Sequence, residues 1–568
     1  MENVLIATLG ESPIVVTAMY DLLKKEKGLV IDKIVVLYPE KEALISTAFD
    51  LIQEALRDRC EVIPEYLPFE DVANETDSFY FLHTLYRLLN AAQKSENTIY
   101  LSLAGGRKNM SALMAILVPL FPCVEGLYHV IDPDEGTRRY HFKSVEYIFD
   151  LPDDERLSYF LLTEDQLERL KLVEIPYGEQ QQVSEEYRSL LFTITEEELD
   201  ELWNKDPTLV EIVEAYRHIT QESTFTPVLK IKLTANVKKA YKLILHDNAP
   251  QALRFARCFE QMKDPYHLFE AIKDSGFTRD SHSFHFYKRR RTVERPFYYT
   301  EPQNIEQINI RQLSKGAKVD TVIISGLAVE QNDGSYKPTA EKLLQAFDPE
   351  EPTVSLEGIL PAGTFAQLQS ENESVLIVPL GDRPMIATQL YTLLTYQGSN
   401  IREVVLVYPA KVKAGAELLV KAFEDEGQRT GIEIGCITKV VPGFDDIDST
   451  DACRAFEQTL EEAIDEARKR HSGCQIELAL SGGRKGMAAL AMFVAQRKGI
   501  HYLYHTLITD KRLFAIVEDE TTVDKLRPMK VGRELRNDRL FLREYEVKGE
   551  GPYTKFVLFK VPVLPAGK

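Results

Sequence analysis

Four glycine-containing turns carry the chemistry that can be read from this chain. Gly105-Gly106-Arg107-Lys108 follows the run Leu101-Ser-Leu-Ala104, and Gly482-Gly483-Arg484-Lys485 follows Leu478-Ala-Leu-Ser481. Earlier in each half, Leu9-Gly10-Glu11-Ser12-Pro13 and Leu380-Gly381-Asp382-Arg383-Pro384 also follow apolar runs. Glycine lets the backbone approach a ligand closely, and a helix that starts just beyond it offers amides and a dipole that favour phosphate. Arg and Lys add positive charge at the same spot. The pattern is neither GxGxxG nor the GxxxxGK[ST] P-loop. A tight turn before a solvated helix start would explain one such tetrapeptide. Two in the same context point to paired anion cups.

The pairing belongs to a duplication. Gly10 and Gly381 are 371 residues apart, and Gly105 and Gly482 are 377 apart. Val35-Val-Leu-Tyr-Pro39 echoes Leu406-Val-Tyr-Pro409, and Tyr128-His129 echoes Tyr504-His505, in the same order. Two domain-sized copies therefore flank something else, whereas a solenoid would show many short repeats. In the first copy the apolar runs predict strands at Val4–Leu9, Lys33–Tyr38, Cys60–Tyr66 and Thr98–Leu103. Helices are predicted between them at Pro13–Lys24, Lys41–Arg57, Asp77–Ala92 and Arg107–Val118. Unbroken apolar strands alternating with helices imply a parallel sheet covered on both faces, a doubly wound Rossmann-like α/β fold. In such sheets ligands bind beyond the carboxyl ends of the strands, where all four turns fall.

Length and composition bound the rest. At 568 residues, with 44% apolar and 27% charged side chains, the chain can hold three or more globular domains. No apolar run is long enough to span a membrane, and no signal sequence precedes Val4. The six cysteines form no CxxC pair, which suits reduced thiols in the cytoplasm and predicts no zinc site. The net charge of -20 argues against nonspecific coating of nucleic acid. It hides a contrast, however. Thr226–Lys342 holds 20 Lys and Arg against 13 Asp and Glu, a balance of +7, while Asp153–Glu222 holds 6 against 19. A basic block inside an acidic chain is a candidate polyanion-facing module.

The Leu-Gly-x-x-Pro turn, the Tyr-Pro strand end and the Gly-Gly-Arg-Lys-x-Met turn resemble the CARF domain of CRISPR-associated proteins. The resemblance covers roughly residues 1–150 and 372–545. It implies binding of a cyclic oligoadenylate made by type III CRISPR complexes, at a pair of CARF domains built within one chain. Leu9, Gly10, Glu11, Ser12, Gly105, Gly106, Arg107, Lys108 and Asn109 would line the pocket from one copy. Leu380, Gly381, Asp382, Arg383, Gly482, Gly483, Arg484, Lys485 and Gly486 would line it from the other. Cyclic tetra-adenylate, with four phosphates in a ring, fits a two-fold pocket best. The copies differ at Ser12 and Arg383, Thr8 and Pro379, and Asn109 and Gly486, so the symmetry is approximate.

CARF proteins typically carry an effector, and the basic block is its place. Its densest stretch is Phe284-His-Phe-Tyr-Lys-Arg-Arg-Arg-Thr-Val-Glu-Arg-Pro-Phe-Tyr-Tyr299, cations interleaved with aromatics as RNA-contacting surfaces require. Charged edge protection is the plainer explanation, but Lys-Arg-Arg-Arg exceeds what an edge needs. Strands are predicted at Val228–Thr234, Ser283–Lys288, Val293–Tyr299, Ile308–Gln312 and Val319–Leu327, with helices at Asn236–Ile244, Ala249–Met262 and Thr339–Phe347. That order resembles the small α+β fold of RelE mRNA interferases. The resemblance implies metal-independent, ribosome-dependent cleavage, in which a 2′-hydroxyl attacks the adjacent phosphate. Lys288, Arg289, Arg290, Arg291 and Arg295 would orient RNA and stabilise charge. Tyr298 or Tyr336 would stack or transfer a proton, and His285 could act as a base.

Two other nucleases compete. Arg279-Asp-Ser-His-Ser-Phe-His285 matches the HEPN Arg-x4-6-His pattern, but on a strand-like segment where HEPN motifs are helical. A restriction-type site needs Asp followed by Glu-x-Lys on adjacent strands, and no convincing match lies between Val228 and Gly326. A non-catalytic adaptor that only docks RNA or the ribosome, and a CARF pocket that degrades its own ligand, also remain open. The expected organisation is a CARF domain over 1–152, an acidic helical connector over 153–225, and a RelE-like effector over 226–347. A linker over 348–371 leads to a second CARF domain over 372–568. The expected partners are a cyclic oligoadenylate as activator, mRNA and the ribosome, with no metal, cofactor or membrane, in a monomer or homodimer.

Overall fold

The computed structural model describes residues 2–10, 12–39, 43–69, 75–106, 108–133, 142–177 and 189–193 of the first half. In the centre it describes 229–248, 277–280, 282–287, 294–301, 321–329 and 337–355. In the last part it describes 373–396, 399–480, 482–508, 533–545 and 556–564, with isolated positions between all of these. The chain divides into two compact units. One comprises Met1–Gln221, Asn372–Thr395 and Asn400–Lys568, and the other Glu222–Glu371 with Tyr396–Ser399.

The first copy runs β1 (Asn3–Thr8), α1 (Val15–Lys27), β2 (Lys33–Pro39), α2 (Ala43–Leu56), β3 (Glu61–Leu67), α3 (Glu75–Lys94), β4 (Thr98–Ser102) and α4 (Lys108–Leu117). It continues through β5 (Val124–Ile131), α5 (Val145–Phe149), α6 (Asp153–Tyr159), α7 (Glu164–Arg169) and β6 (Lys171–Glu174). The sheet order is β3-β2-β1-β4-β5-β6, parallel except for β6. Val4, Leu5, Ile6 and Ala7 of β1 are buried on both faces, which is why they form an unbroken apolar run. The order reverses between β1 and β4, the switch point at which open α/β sheets leave a crevice.

The central unit holds β7 (Lys230–Thr234), α8 (Ala235–Asp247), β8 (Phe277–Arg279), β9 (His282–Phe286), β10 (Glu294–Glu301), β11 (Thr321–Val329), α9 (Lys337–Ala346) and β12 (Thr353–Ser355). Its sheet order is β12-β7-β11-β10-β9-β8, with β7 parallel to β11 and every other pair antiparallel. Along β11, Val322 and Ile324 pack with Val237 and Tyr241 of α8, whereas Ile323 packs with Ala340 of α9. Alternation along the strand therefore puts the two helices on opposite faces. Thr353–Ser355, expected within a linker, instead pairs with β7 as an edge strand, because Val354 adds to the α8-side cluster. The short β8 was not expected either. The predicted strand Ile308–Gln312 lies outside the described residues.

The second copy repeats the first. It comprises β13 (Ser374–Pro379), α10 (Met385–Tyr396), β14 (Ile401–Tyr408), α11 (Lys413–Thr430), β15 (Gly435–Val440), α12 (Thr450–Arg470), β16 (Gln475–Ala479) and α13 (Lys485–Arg497). β17 (Tyr502–Ile508), α14 (Arg533–Leu540) and β18 (Phe556–Pro562) follow. The order is β15-β14-β13-β16-β17-β18, again parallel except for the last strand. α4 and α13 pack against each other in one continuous core. Every residue from Asn109 to Leu117 and from Gly486 to Gln496 is buried. Helices apolar on all sides belong between layers, and each is sandwiched between its own sheet and the other helix. Among the described residues no helix is long and apolar enough to cross a membrane.

The β1–α1 and β4–α4 turns touch backbone to backbone. A Cβ on Gly10 would collide with the Gly105 carbonyl, and one on Gly381 with the Gly482 carbonyl and Gly483. Gly105 also takes a φ of 98°, open to glycine at little cost. Gly28 ends α1 at a φ of 65° with open space around it. Gly10→Ala should therefore cost roughly 2–4 kcal/mol and Gly28→Ala about 1 kcal/mol in urea unfolding. Equal losses would show that the turns are not in contact.

Candidate functional site

Both Gly-Gly turns open onto one cavity of about 600 Å³, within the unit formed by the two copies. Leu9, Gly10, Ser12, Gly105, Gly106 and Lys108 line it from the first copy. Gly381, Asp382, Arg383, Gly482, Gly483, Arg484 and Lys485 line it from the second. Lys108 and Lys485 are the first residues of α4 and α13, so both helix N-termini point their dipoles at one space. The N-cap of α13 is Arg484, which carries no acceptor and does not cap the helix with its side chain. Gln496, near the end of α13, donates to the Ile116 carbonyl near the end of α4 (3.5 Å). The helices thus run side by side in the same direction, which is why both starts reach the cavity.

Three expected lining residues do not face it. Leu380 is buried, and its amide donates to the Val407 carbonyl (2.8 Å), as Leu9 does to Leu37 (2.9 Å). Asn109 is buried, its Nδ2 donating to the Val72 carbonyl (2.7 Å) and its Oδ1 accepting from the Met110 amide. Gly486 lies inside α13, where a Cβ would fall 2.8 Å from Ile175 Cδ1. Leu380 continues the ladder at the strand end, and Asn109 and Gly486 each lie one residue into a helix, where a Cβ already points to the core. Glu11 and Arg107 lie outside the described residues.

Sequence reasoning missed the carboxylate that pairs with the site's cations. Asp446, between β15 and α12, accepts from Arg484 Nε at 3.1 Å on both carboxylate oxygens and from Lys411 Nζ at 2.7 Å. Burial alone would raise this carboxyl, but the hydrogen bonds from Arg484 and Lys411 outweigh it and hold it down at about 2. A search for cations near glycine passes over such a residue. Yet Phe444-Asp-Asp446 echoes Phe69-Glu-Asp71, and Pro409-Ala-Lys411 echoes Pro39-Glu-Lys41. Lys41, Glu70 and Asp71 lie outside the described residues.

His129 and Asp132, at the end of β5, also line the cavity, with Phe69, Val72, Ile131, Phe142 and Val145 forming an apolar wall. Ser12 holds this wall by donating to the Phe142 carbonyl (3.4 Å). The site therefore combines cations and helix starts, which suit phosphates, with an apolar wall that suits a flat base.

In the central unit, Lys288, Arg289, Arg290, Arg291 and Tyr336 lie outside the described residues. The other three candidates are buried, against the expectation that they meet RNA. Arg295 is 2% exposed and donates to the Glu294 carbonyl (2.8 Å). Tyr298 is fully buried among α8-side apolar residues, and burial pushes its hydroxyl far above the usual range. His285 is 1% exposed and faces Tyr298 across the β9–β10 pairing, with ring centroids 5.8 Å apart. The aromatic alternation that reads as a stacking surface is instead the two-sided core of the sheet. Arg279 and His285 fall on strands β8 and β9, not on a helix.

Asp446→Asn leaves Arg484 and Lys411 facing a neutral amide and should cost roughly 2–3 kcal/mol of unfolding free energy at pH 7. Because the folded carboxyl titrates below its unfolded value, this contribution is complete above the unfolded pKa and is lost as pH falls through about 2. The difference between wild type and variant should then be the same at pH 7 and pH 5 in urea titrations.

Comparison with known proteins bears on what this site serves. No curated protein matches the chain. Among solved structures, one described as a type III CRISPR defence DNA nuclease activated by cyclic oligoadenylate aligns over 95% of this chain and 77% of its own. Its identity is 11% and its TM-score 0.32. Enterococcus italicus Csm6 bound to cyclic hexa-2′-fluoro-hexa-dAMP aligns over 48% of this chain and 61% of its own, at 15% identity and a TM-score of 0.23. Superpositions this loose carry no argument about the site. A family model matches residues 12–208 and 383–564, which span both copies and leave out the central block. The chain belongs to the family described as CRISPR-associated protein NE0113 (Cas_NE0113).

Proposed function

We propose that this protein is a ribonuclease of type III CRISPR antiviral defence, switched on by a cyclic oligoadenylate held between its two CARF-like copies. The observation that carries this reading is the shared cavity, lined by Gly105, Gly106 and Lys108 of one copy and Gly482, Gly483, Arg484 and Lys485 of the other. A ring of phosphodiesters is anionic all round, and two helix starts with Lys108, Arg484 and Lys485 offer it positive potential from both copies. The apolar wall around Phe69 and Phe142 suits adenine faces. Cyclic tetra-adenylate, an even-numbered ring with a two-fold axis, is the ligand we expect in a duplicated pocket. The ligand activates by binding one arrangement of the copies more tightly than another.

The effector step is the cleavage of mRNA on the ribosome by the basic central unit, without a metal. The RNA 2′-hydroxyl attacks its neighbouring phosphate, leaving a 2′,3′-cyclic phosphate and a 5′-hydroxyl. The burial of His285, Arg295 and Tyr298 concentrates this role on Lys288, Arg289, Arg290, Arg291 and Tyr336. A HEPN site draws no support from Arg279 and His285, which lie on strands, one of them buried.

The test combines binding and cleavage. Calorimetry should register tight binding of cyclic tetra-adenylate, weakened by at least tenfold in Arg484→Ala/Lys485→Ala. Ligand should then stimulate cleavage of mRNA on ribosomes, abolished by Arg289→Ala/Arg290→Ala/Arg291→Ala. Cleavage of naked RNA would favour a ribosome-independent nuclease, and EDTA-sensitive cutting of DNA a restriction-type one. Ligand binding with no cleavage of any substrate would leave an adaptor.

A further inference from the structure

His129 is the polar group in the cavity that the cups do not explain. It lines the cavity at the end of β5, is 9% exposed, and its Nδ1 has no hydrogen-bond partner among the described residues. A buried polar nitrogen left without a partner carries a desolvation cost that a fold normally avoids. Across the copy boundary stand Lys485 and Arg484 at the start of α13. Burial first, and then the charges of Lys485 and Arg484, push the imidazole down to about 3, so it is neutral at physiological pH. The other charged groups on the cavity are Asp132 just past the end of the same strand, Glu146 of α5, Lys108 of α4, Asp382 and Arg383 in the turn after β13, and Lys411 with Asp446 beyond Arg484. Asp446 is already engaged by Lys411 and Arg484.

We infer that His129 is a ligand-binding residue of this cavity, which takes up a proton when an anion settles against Lys485 and Arg484 and then contacts it as a third cation. The inference rests on the proposal that the cavity binds an anionic ligand. The argument is one of charge. Two cations opposite a histidine oppose its protonation, and an anion placed among the three reverses that sign and supplies an acceptor. The cavity then gains positive charge only when it is filled. Binding should strengthen as pH falls, because the imidazole has a higher pKa in the complex than in the empty protein. The limiting slope is one proton per ligand, or about tenfold in affinity per pH unit.

Proton uptake is read by calorimetry of the full chain at pH 7 in buffers of different ionisation enthalpy. The probes are cyclic tetra-adenylate and trimetaphosphate, a ring of phosphates that does not titrate near neutrality. Wild type should take up a measurable fraction of a proton, and affinity should fall several-fold between pH 6 and pH 8. His129→Asn should bind with no proton uptake and a flat pH profile. Should that variant fail to fold, the ring resonances of His129 in the wild type give the same answer. They should report a neutral imidazole in the empty protein at pH 6 and an imidazolium with probe bound. Uptake with trimetaphosphate but silence from cyclic tetra-adenylate would sink the nucleotide reading and leave this inference standing. Binding without proton uptake, uptake that persists in His129→Asn, or no binding of either probe would overturn it.

Discussion

Two buried helices running side by side in the same direction are the constraint on which the rest of this unit depends. Aligned dipoles of parallel neighbours repel, and the positive ends of α4 and α13 meet at one place. Apolar packing overrides the repulsion, since almost the whole of both helices is buried in one core. The electrostatic cost is thereby confined to the helix starts, where it becomes a demand for negative charge. Glycines at Gly10, Gly105, Gly381 and Gly482 let the turns close on one another, so the demand falls on the cavity rather than on side chains filling the turns.

Asp446 meets part of that demand from within the protein. Its carboxylate sits on Arg484 and Lys411, two of the charges an anionic ligand would seek, so ligand and Asp446 share the same cations. The segment that carries it is tied to the first copy. Asp448 pairs with Lys171 of β6, and Thr450 donates to the Glu174 carbonyl (3.0 Å). A change in how Asp446 holds Arg484 thus acts on a segment fastened to β6, a strand of the first sheet that lies within the stretch expected to be an acidic connector. These contacts give the cavity a mechanical partner without requiring any rearrangement of either sheet.

The fold of the two copies was legible because parallel strands buried on both faces write themselves as unbroken apolar runs, such as Val4–Ala7 and Val375–Val378. The turns were legible because glycine there has a steric reason that survives duplication. What failed was the inference from neighbourhood to exposure. Asn109 and Gly486 follow the cups by one residue and face the core, and the aromatics within Phe284–Tyr287 and Phe297–Tyr299 divide between two buried faces. Interleaved aromatics have the same pattern in a stacking surface and in a sheet covered by helices on both sides. Only the positions of α8 and α9 separate the two. Asp446 was invisible for a different reason: a carboxylate in an anion site contradicts simple charge matching until its cation partners are seen.

Duplication also explains where the copies part company. The cups keep their glycines and their Arg-Lys pairs, while differences accumulate just behind them. Thr8 donates from its hydroxyl to the Ala104 carbonyl (3.2 Å), and its counterpart Pro379 has no such donor. Asn109 ties α4 to the loop at Val72, whereas Gly486 is bare because Ile175, arriving from the end of β6, occupies the space above it. Ile175 belongs to the first copy, at the point where its chain leaves the sheet and crosses the second copy's helix. A single chain has just one such exit into its central block, so strict two-fold symmetry fails there by necessity. The asymmetry set by connectivity thus lies behind the cups, whereas Ser12 in one copy and Arg383 in the other make a second difference on the cavity lining itself.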